Sequence, residues 1–212
     1  MDSLVLELQR DALDRTIHIT DLLRKALLVS RKLKIKDLED WLNGELNGYD
    51  NTQIPDYRTV SGELKVFNPY NGWNPVMLND KEWQDLLCTR KLEISISQIE
   101  NLVQSSKGGT FLIKFPAEQA KIIMDLISRE FEPALHASLH QLVLIIDSVK
   151  TKILDFALDL ESRGILGEGM TFSKQEQKLA ETITHNTINI HSMENSQIQQ
   201  ANADSDQIKK LE

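Results

Sequence analysis

The strongest constraint on this chain is a run of apolar residues that begins just after Pro133. Leu135, Leu139, Leu142, Ile146, Val149, Ile153, Phe156 and Leu160 recur at alternating four- and three-residue steps. Such a/d spacing, kept over several turns, predicts one long helix over 134–163. Leu144, Ile145, Leu154 and Leu158 widen the stripe beyond a two-stranded seam, which suits a central helix buried in a bundle. The same stripe also offers a self-association surface, through Leu142, Ile146, Val149 and Ile153. Gly164, Gly167 and Gly169 then end the helix.

The rest of the chain is arranged around that helix. Leu4, Val5, Leu8 and Ala12 mark a first helix over 3–14. Thr20-Asp21 opens a second over 20–33, with Leu22, Leu23, Ala26, Leu27 and Val29 at helical spacing. Leu38, Trp41, Leu42 and Leu46 mark a third over 36–47, stopped at Asn47-Gly48. Residues 56–78 read as strand and loop, with Ser61-Gly62 as a turn or bulge inside the run. Asn68-Pro69-Tyr70-Asn71-Gly72-Trp73-Asn74-Pro75 excludes a helix. Its Tyr70 and Trp73 either anchor the loop on the core or form a rigid recognition surface. Helices are expected over 80–103, a strand over 110–115, and a helix over 117–130 that starts after Pro116. Ser173 to Glu176 fits a capping box for a short polar helix.

From 176 to 212 the chain is a polar, Asn/Gln-rich tail. It reads as disordered, or as a β-type self-association segment built on Ile188, Ile190 and Ile198. The predicted fold class is α+β, predominantly helical: a helical bundle with a small β-hairpin or short-strand insertion. Residues 1–175 form one domain.

Charge and composition exclude several function classes. The net charge is -8, so bulk attraction to phosphate is disfavoured. Cys88 is the single cysteine, which rules out an intramolecular disulfide or a multi-cysteine zinc site. No run reaches the roughly 18 apolar residues of a membrane helix. The acidic, amphipathic start is unlike a signal peptide. A cytoplasmic protein with no membrane contact is expected.

Chemical machinery is hard to find. His136 and His140 are four apart on the expected helix, but Ala137 stands where a zinc-protease helix would carry Glu, so no metal site is assigned. The Gly164–Gly169 segment lacks the Lys-Ser/Thr of a phosphate loop. No catalytic residue and no cofactor are assigned. Arg24, Lys25, Arg31, Lys32, Lys34 and Lys36 form a basic run free of acids. Helix-end stabilisation explains it, and a phosphate-binding patch is the alternative.

Several segments together resemble the AbiTii domain family: Ser3 to Ala12, Asp21 to Leu27, Trp41 to Tyr49, Ile54 to Arg58, Asn68 to Trp73 and Gly164 to Phe172. The resemblance covers roughly the first 175 residues. It implies bacterial antiphage defence by abortive infection, as one component of a two-gene system. It brings no catalytic residues. The function expected is a non-enzymatic sensor or adaptor coupled to self-assembly, with itself and a co-encoded defence protein as partners. Trp41, Asn43, Glu45, Asn68, Tyr70 and Trp73 are the expected contact residues, with Arg24, Lys25, Arg31 and Lys32 as a further candidate patch. The alternative is a nucleic-acid- or nucleotide-targeting effector that uses Arg24 to Lys36.

Overall fold

The computed structural model describes residues 3–50, 53–78, 80–106 and 108–183. Its helices are α1 (Leu4–Leu13), α2 (Ile19–Leu33), α3 (Lys36–Asn47), α4 (Lys81–Cys88), α5 (Ile96–Ser105), α6 (Ala117–Ile127), α7 (Leu139–Ser162) and α8 (Lys174–Ala180). Its strands are β1 (Thr59–Asn68), β2 (Gly72–Pro75), β3 (Thr89–Lys91), β4 (Thr110–Lys114) and β5 (Glu132–Ser138). The class is α+β, predominantly helical, as the sequence indicated. The sheet is antiparallel in the order β2-β1-β5-β4, with β3 paired to β1 beside the 3-10 turn Asp56–Arg58.

The central helix lies where its stripe requires. Leu142, Ile145, Val149, Ile153, Phe156 and Leu160 are buried among Leu4, Leu8, Leu22, Ala26, Leu42 and Ile96 of the surrounding helices. Burial of so many large apolar side chains, at about 1.5–3 kcal/mol each, supplies the main drive for the helical half. The first helix is tied to the far end of this unit. Ser3 Oγ caps α1 and donates to Leu166 O at 2.6 Å, and Gln9 Nε2 donates to Ala157 O and to Glu161 Oε2.

The long helix begins later than its periodicity predicts. Residues 134–138, expected as its start, belong instead to strand β5 (Glu132–Ser138) between β1 and β4. Leu135 satisfies both periods, and two strand partners outweigh a local helical preference. The helix starts where Ser138 accepts from His140 N. The Ser138-to-Gln141 spacing was the available signal of that start. Gln141 is used differently, however: its amide accepts from Ser61 N at 2.8 Å and donates to Ser61 O at 2.7 Å.

Two further expectations change. The stretch expected as helix over 80–103 is α4, the short strand β3, and α5, which opens with a Ser95–Gln98 capping box. Ser61-Gly62 makes no turn, because β1 runs straight through it. A Cβ on Gly62 would lie 2.5 Å from His136 O, so glycine is there for close approach of β5. The Ser173–Glu176 capping box and the start of α6 at Pro116 are both present.

The sheet has two unlike faces. Val60, Leu64, Leu135, Ala137, Phe111 and Phe115 point to the buried one. One end of that face joins the helical core; the other joins a smaller cluster with Leu87 of α4 and Ile123 of α6, on which Cys88 packs. The opposite face carries Glu63, Lys65, Phe67, Trp73, His136, Leu112 and Lys114 by strand alternation and register. No helix in the described residues is long and apolar enough to cross a membrane.

Candidate functional site

Two places combine residue types that carry chemistry or recognition: a buried polar cluster under α3, and the apolar surface around the β1–β2 hairpin.

The first centres on Glu45 and Arg58, both fully buried. Glu45 Oε1 accepts from the Tyr49 hydroxyl at 2.6 Å, from the Tyr57 hydroxyl, and from Arg58 Nε at 3.0 Å. Its Oε2 accepts from Arg58 Nη2 at 2.6 Å. Arg58 Nη1 donates to Leu92 O and Ile94 O, and Trp41 Nε1 donates to the Tyr57 hydroxyl at 2.8 Å. Burial pulls the Arg58 guanidinium down, but its bond to Glu45 outweighs this and holds it above its ordinary value. Burial, and then the Glu45 charge, push both tyrosine hydroxyls well above theirs. The cluster is therefore a fixed ion pair with neutral phenols around it. Both Glu45 oxygens accept hydrogen bonds and the side chain is fully buried, so the carboxylate faces no solvent-open site. It pins α3 to the start of β1 and to the segment before α5. A Cβ on Gly44 would sit 2.6 Å from Tyr49 Cε1, so glycine there makes room for the ring.

Sequence reasoning placed Trp41, Asn43 and Glu45 on a contact surface. The structure puts the Trp41 indole N–H and the Glu45 carboxylate inside the pin. Asn43 lies half-buried along a cleft of about 600 Å³ beside it, with Trp41, Tyr49, Asp37, Asp40 and Asp50. Arg58 was missed. The signal was Glu45 itself: it stands four residues after Trp41 on the apolar stripe of α3, and a carboxylate there requires a buried cation.

The second place is the hairpin end of the sheet. Asn68 Oδ1 accepts from Tyr70 N in the turn, and Tyr70 at the tip is 96% exposed. Trp73 lies edge-on between Phe67 (ring centroids 5.3 Å apart) and His136 (4.6 Å) on the open face. His136 Nε2 is buried without a hydrogen-bond partner among the described residues. Burial first, and the Lys65 charge second, hold its imidazole below the ordinary value, with Glu63 opposing. On the other side of the hairpin a groove of about 590 Å³ is lined by Val66, Val76, Met77, Leu78, Trp83 and Leu126, with Asp80 and Arg129 among its polar groups. Met77 is 87% exposed. Leu86, Leu112 and Ile122 add apolar surface on the neighbouring α4, β4 and α6.

The other candidates separate. Leu142, Val149 and Ile153 are buried inside the chain's own core and Ile146 packs against it, so their stripe is not a surface that another copy can reach. Ile188, Ile190 and Ile198 lie outside the described residues. The basic run is largely neutralised: Arg24 lies on Asp21, Lys25 on Asp11 and Glu7, Arg31 on Glu39, and Lys36 on Asp40. Lys32 is half-buried on α2 and Lys34 caps that helix in the left-handed conformation. The expected His136–His140 helical pair does not exist, because the two residues stand on different elements, β5 and α7. Among the described residues no cluster of His, Cys, Asp and Glu is arranged to hold a metal ion.

The AbiTii family model matches residues 3–185. No curated protein and no solved structure matches the chain.

Proposed function

Since this chain belongs to the AbiTii family, and so to bacterial abortive-infection defence against phage, we propose that it acts there as a non-enzymatic adaptor. In this reading the hairpin end binds a second protein of the defence system, and copies of the chain associate. The observation that carries the reading is the concentration of uncovered apolar side chains around one hairpin: Tyr70, Met77, Trp83 and Leu126. Met77, Trp83 and Leu126 share one groove, with Tyr70 at the nearby tip, and exposed apolar surface of this kind marks protein-interaction sites. Two further features support it. The buried ion pair is fully enclosed away from solvent, and four of the six basic residues, Arg24, Lys25, Arg31 and Lys36, lie on carboxylates.

The test is a phage-plating assay with Met77→Glu and Tyr70→Ser, each checked for an unchanged far-UV spectrum and melting temperature. Loss of protection with an intact fold is expected. Full protection from both variants sinks the partner-binding role of the hairpin end. Salt-sensitive RNA or DNA binding that is lost on Lys32→Glu with Lys34→Glu would replace the adaptor reading with a nucleic-acid effector.

A further inference from the structure

The two ends of the sheet are finished differently. On one side the last strand, β2, has four residues and carries Pro75, devices that blunt an edge. On the other side β4 pairs with β5 alone. Its sequence, Thr110-Phe111-Leu112-Ile113-Lys114, has no proline and no bulge, and its register with β5 is continuous.

The direction of its free backbone groups follows from one hydrogen bond. Leu139 N donates to Gly109 O at 2.9 Å, which makes Gly109–Leu139 a hydrogen-bonded pair. Such pairs alternate with non-hydrogen-bonded ones along an antiparallel ladder. Phe111–Ala137 and Ile113–Leu135 therefore hold the bonds to β5. The N–H and C=O groups of Thr110, Leu112 and Lys114 point away from the sheet, and no described residue bonds to them. Leu112, the middle of the three, is 51% exposed on the open face.

We infer that this edge pairs with the same edge of a second copy, antiparallel about a two-fold axis at Leu112. That register sets Thr110 opposite Lys114, Phe111 opposite Ile113, and Leu112 opposite Leu112. The outward backbone groups meet in hydrogen-bonded pairs and form roughly six hydrogen bonds. The two Leu112 side chains cover each other. The strand's only charge, Lys114, faces a threonine and not its own copy, and its ammonium is already paired with Glu132 at 3.0 Å. A strand that is self-complementary in charge, shape and backbone direction fits an isologous contact. Two such short strands bury less than the roughly 1,200–2,000 Å² of a stable interface. The pairing is accordingly weak and driven by concentration.

This rests on the self-association part of the proposed function and names its surface. The test is sedimentation velocity of the full chain across a wide concentration range, with Leu112→Lys, Leu112→Glu and Leu112→Pro, each checked for fold by circular dichroism. The wild type should shift from monomer toward dimer as concentration rises. Lys or Glu alone places like charges opposite each other and should weaken dimerisation roughly tenfold or more. An equimolar mixture of the two should restore it. Proline removes only the outward N–H, since Leu112 gives none to β5, and should also give a monomer. A wild type that dimerises while every variant also does overturns the β4 edge and leaves self-association standing. A wild type that stays monomeric at every concentration overturns both.

Discussion

The helical half and the sheet end of this molecule follow opposite rules about exposed surface. Around α7 the apolar stripe is covered by α1, α2 and α5, and the buried Glu45–Arg58 pair is bonded through both carboxylate oxygens. Around the β1–β2 hairpin, Tyr70, Met77 and Leu126 stand in water, and the edge of β4 carries no bonded neighbour among the described residues. Uncovered apolar side chains also occur singly on the helical half, at Leu13, Leu144 and Leu158, but around the hairpin several of them line one groove. The difference shows where stability is made: the packed helices bury the apolar stripe of α7, while the hairpin end leaves a groove open.

The comparison breaks most visibly at the pin. Arg58→Met leaves Glu45 buried without its cation and should cost about 3–5 kcal/mol, measured by urea unfolding. The double change Glu45→Leu with Arg58→Met should recover a large part of that loss, because an uncompensated charge is worse than an apolar pair. A double variant as unstable as the single one would mean that the hydrogen bonds to Tyr49, Tyr57, Leu92 and Ile94 dominate instead.

Next in size is a contrast within α7 itself. Phe156→Ala empties a buried site and should cost about 3–5 kcal/mol at most. Leu144→Ala, on the same helix but half-exposed, should change stability by no more than about 0.5 kcal/mol. Equal effects would contradict the burial of the stripe.

A smaller effect concerns pH. Glu176 caps the loop before α8, accepting from Leu166 N, Gly167 N and Ser173 N at 2.7–3.0 Å. Burial raises its carboxyl, but these backbone donors outweigh burial and hold it below its ordinary value near 4.5. A depressed carboxylate stabilises the fold above that ordinary value, and the contribution is lost as pH falls through the folded one. Glu176→Gln should therefore flatten the acid limb of the melting curve. His136 adds a slope of its own. Its lowered value means that the unfolded chain binds the proton first, so stability falls as pH drops below about 6.5. A His136→Gln variant with an unchanged pH profile would remove this assignment.

The smallest effect belongs to the open end. Tyr70→Ser, at a tip that touches almost nothing, should leave the melting temperature within error while changing partner binding. A clear loss of stability would turn the hairpin tip from a contact surface into a structural one.

Legibility in the sequence follows the same division. Helices α2 and α3 and the stripe of α7 were readable because each buries one face at a fixed local period. Capping at Ser173 was readable because its partner, Glu176, is three residues away. Strands β3 and β5 were not. Thr89–Lys91 is too short to show a period, and Leu135 fits helix and strand equally, so only distant pairing decides. The Glu45–Arg58 pin escaped for a related reason: Glu45 was visible on an apolar face, but its cation lies in a different element.

The bonds from Ser3 and Gln9 to Ala157, Glu161 and Leu166 have a consequence for the chain's synthesis. Helix α1 precedes the partners that hold it by 148 to 163 residues, so its contacts are long-range and close late. Until residues near 166 have emerged, Leu4, Val5 and Leu8 have no α7 to lie against, and Arg58 meets its carbonyl acceptors only once Ile94 is out. A chain stopped before α7 would leave the apolar face of α1 without the helix it packs on.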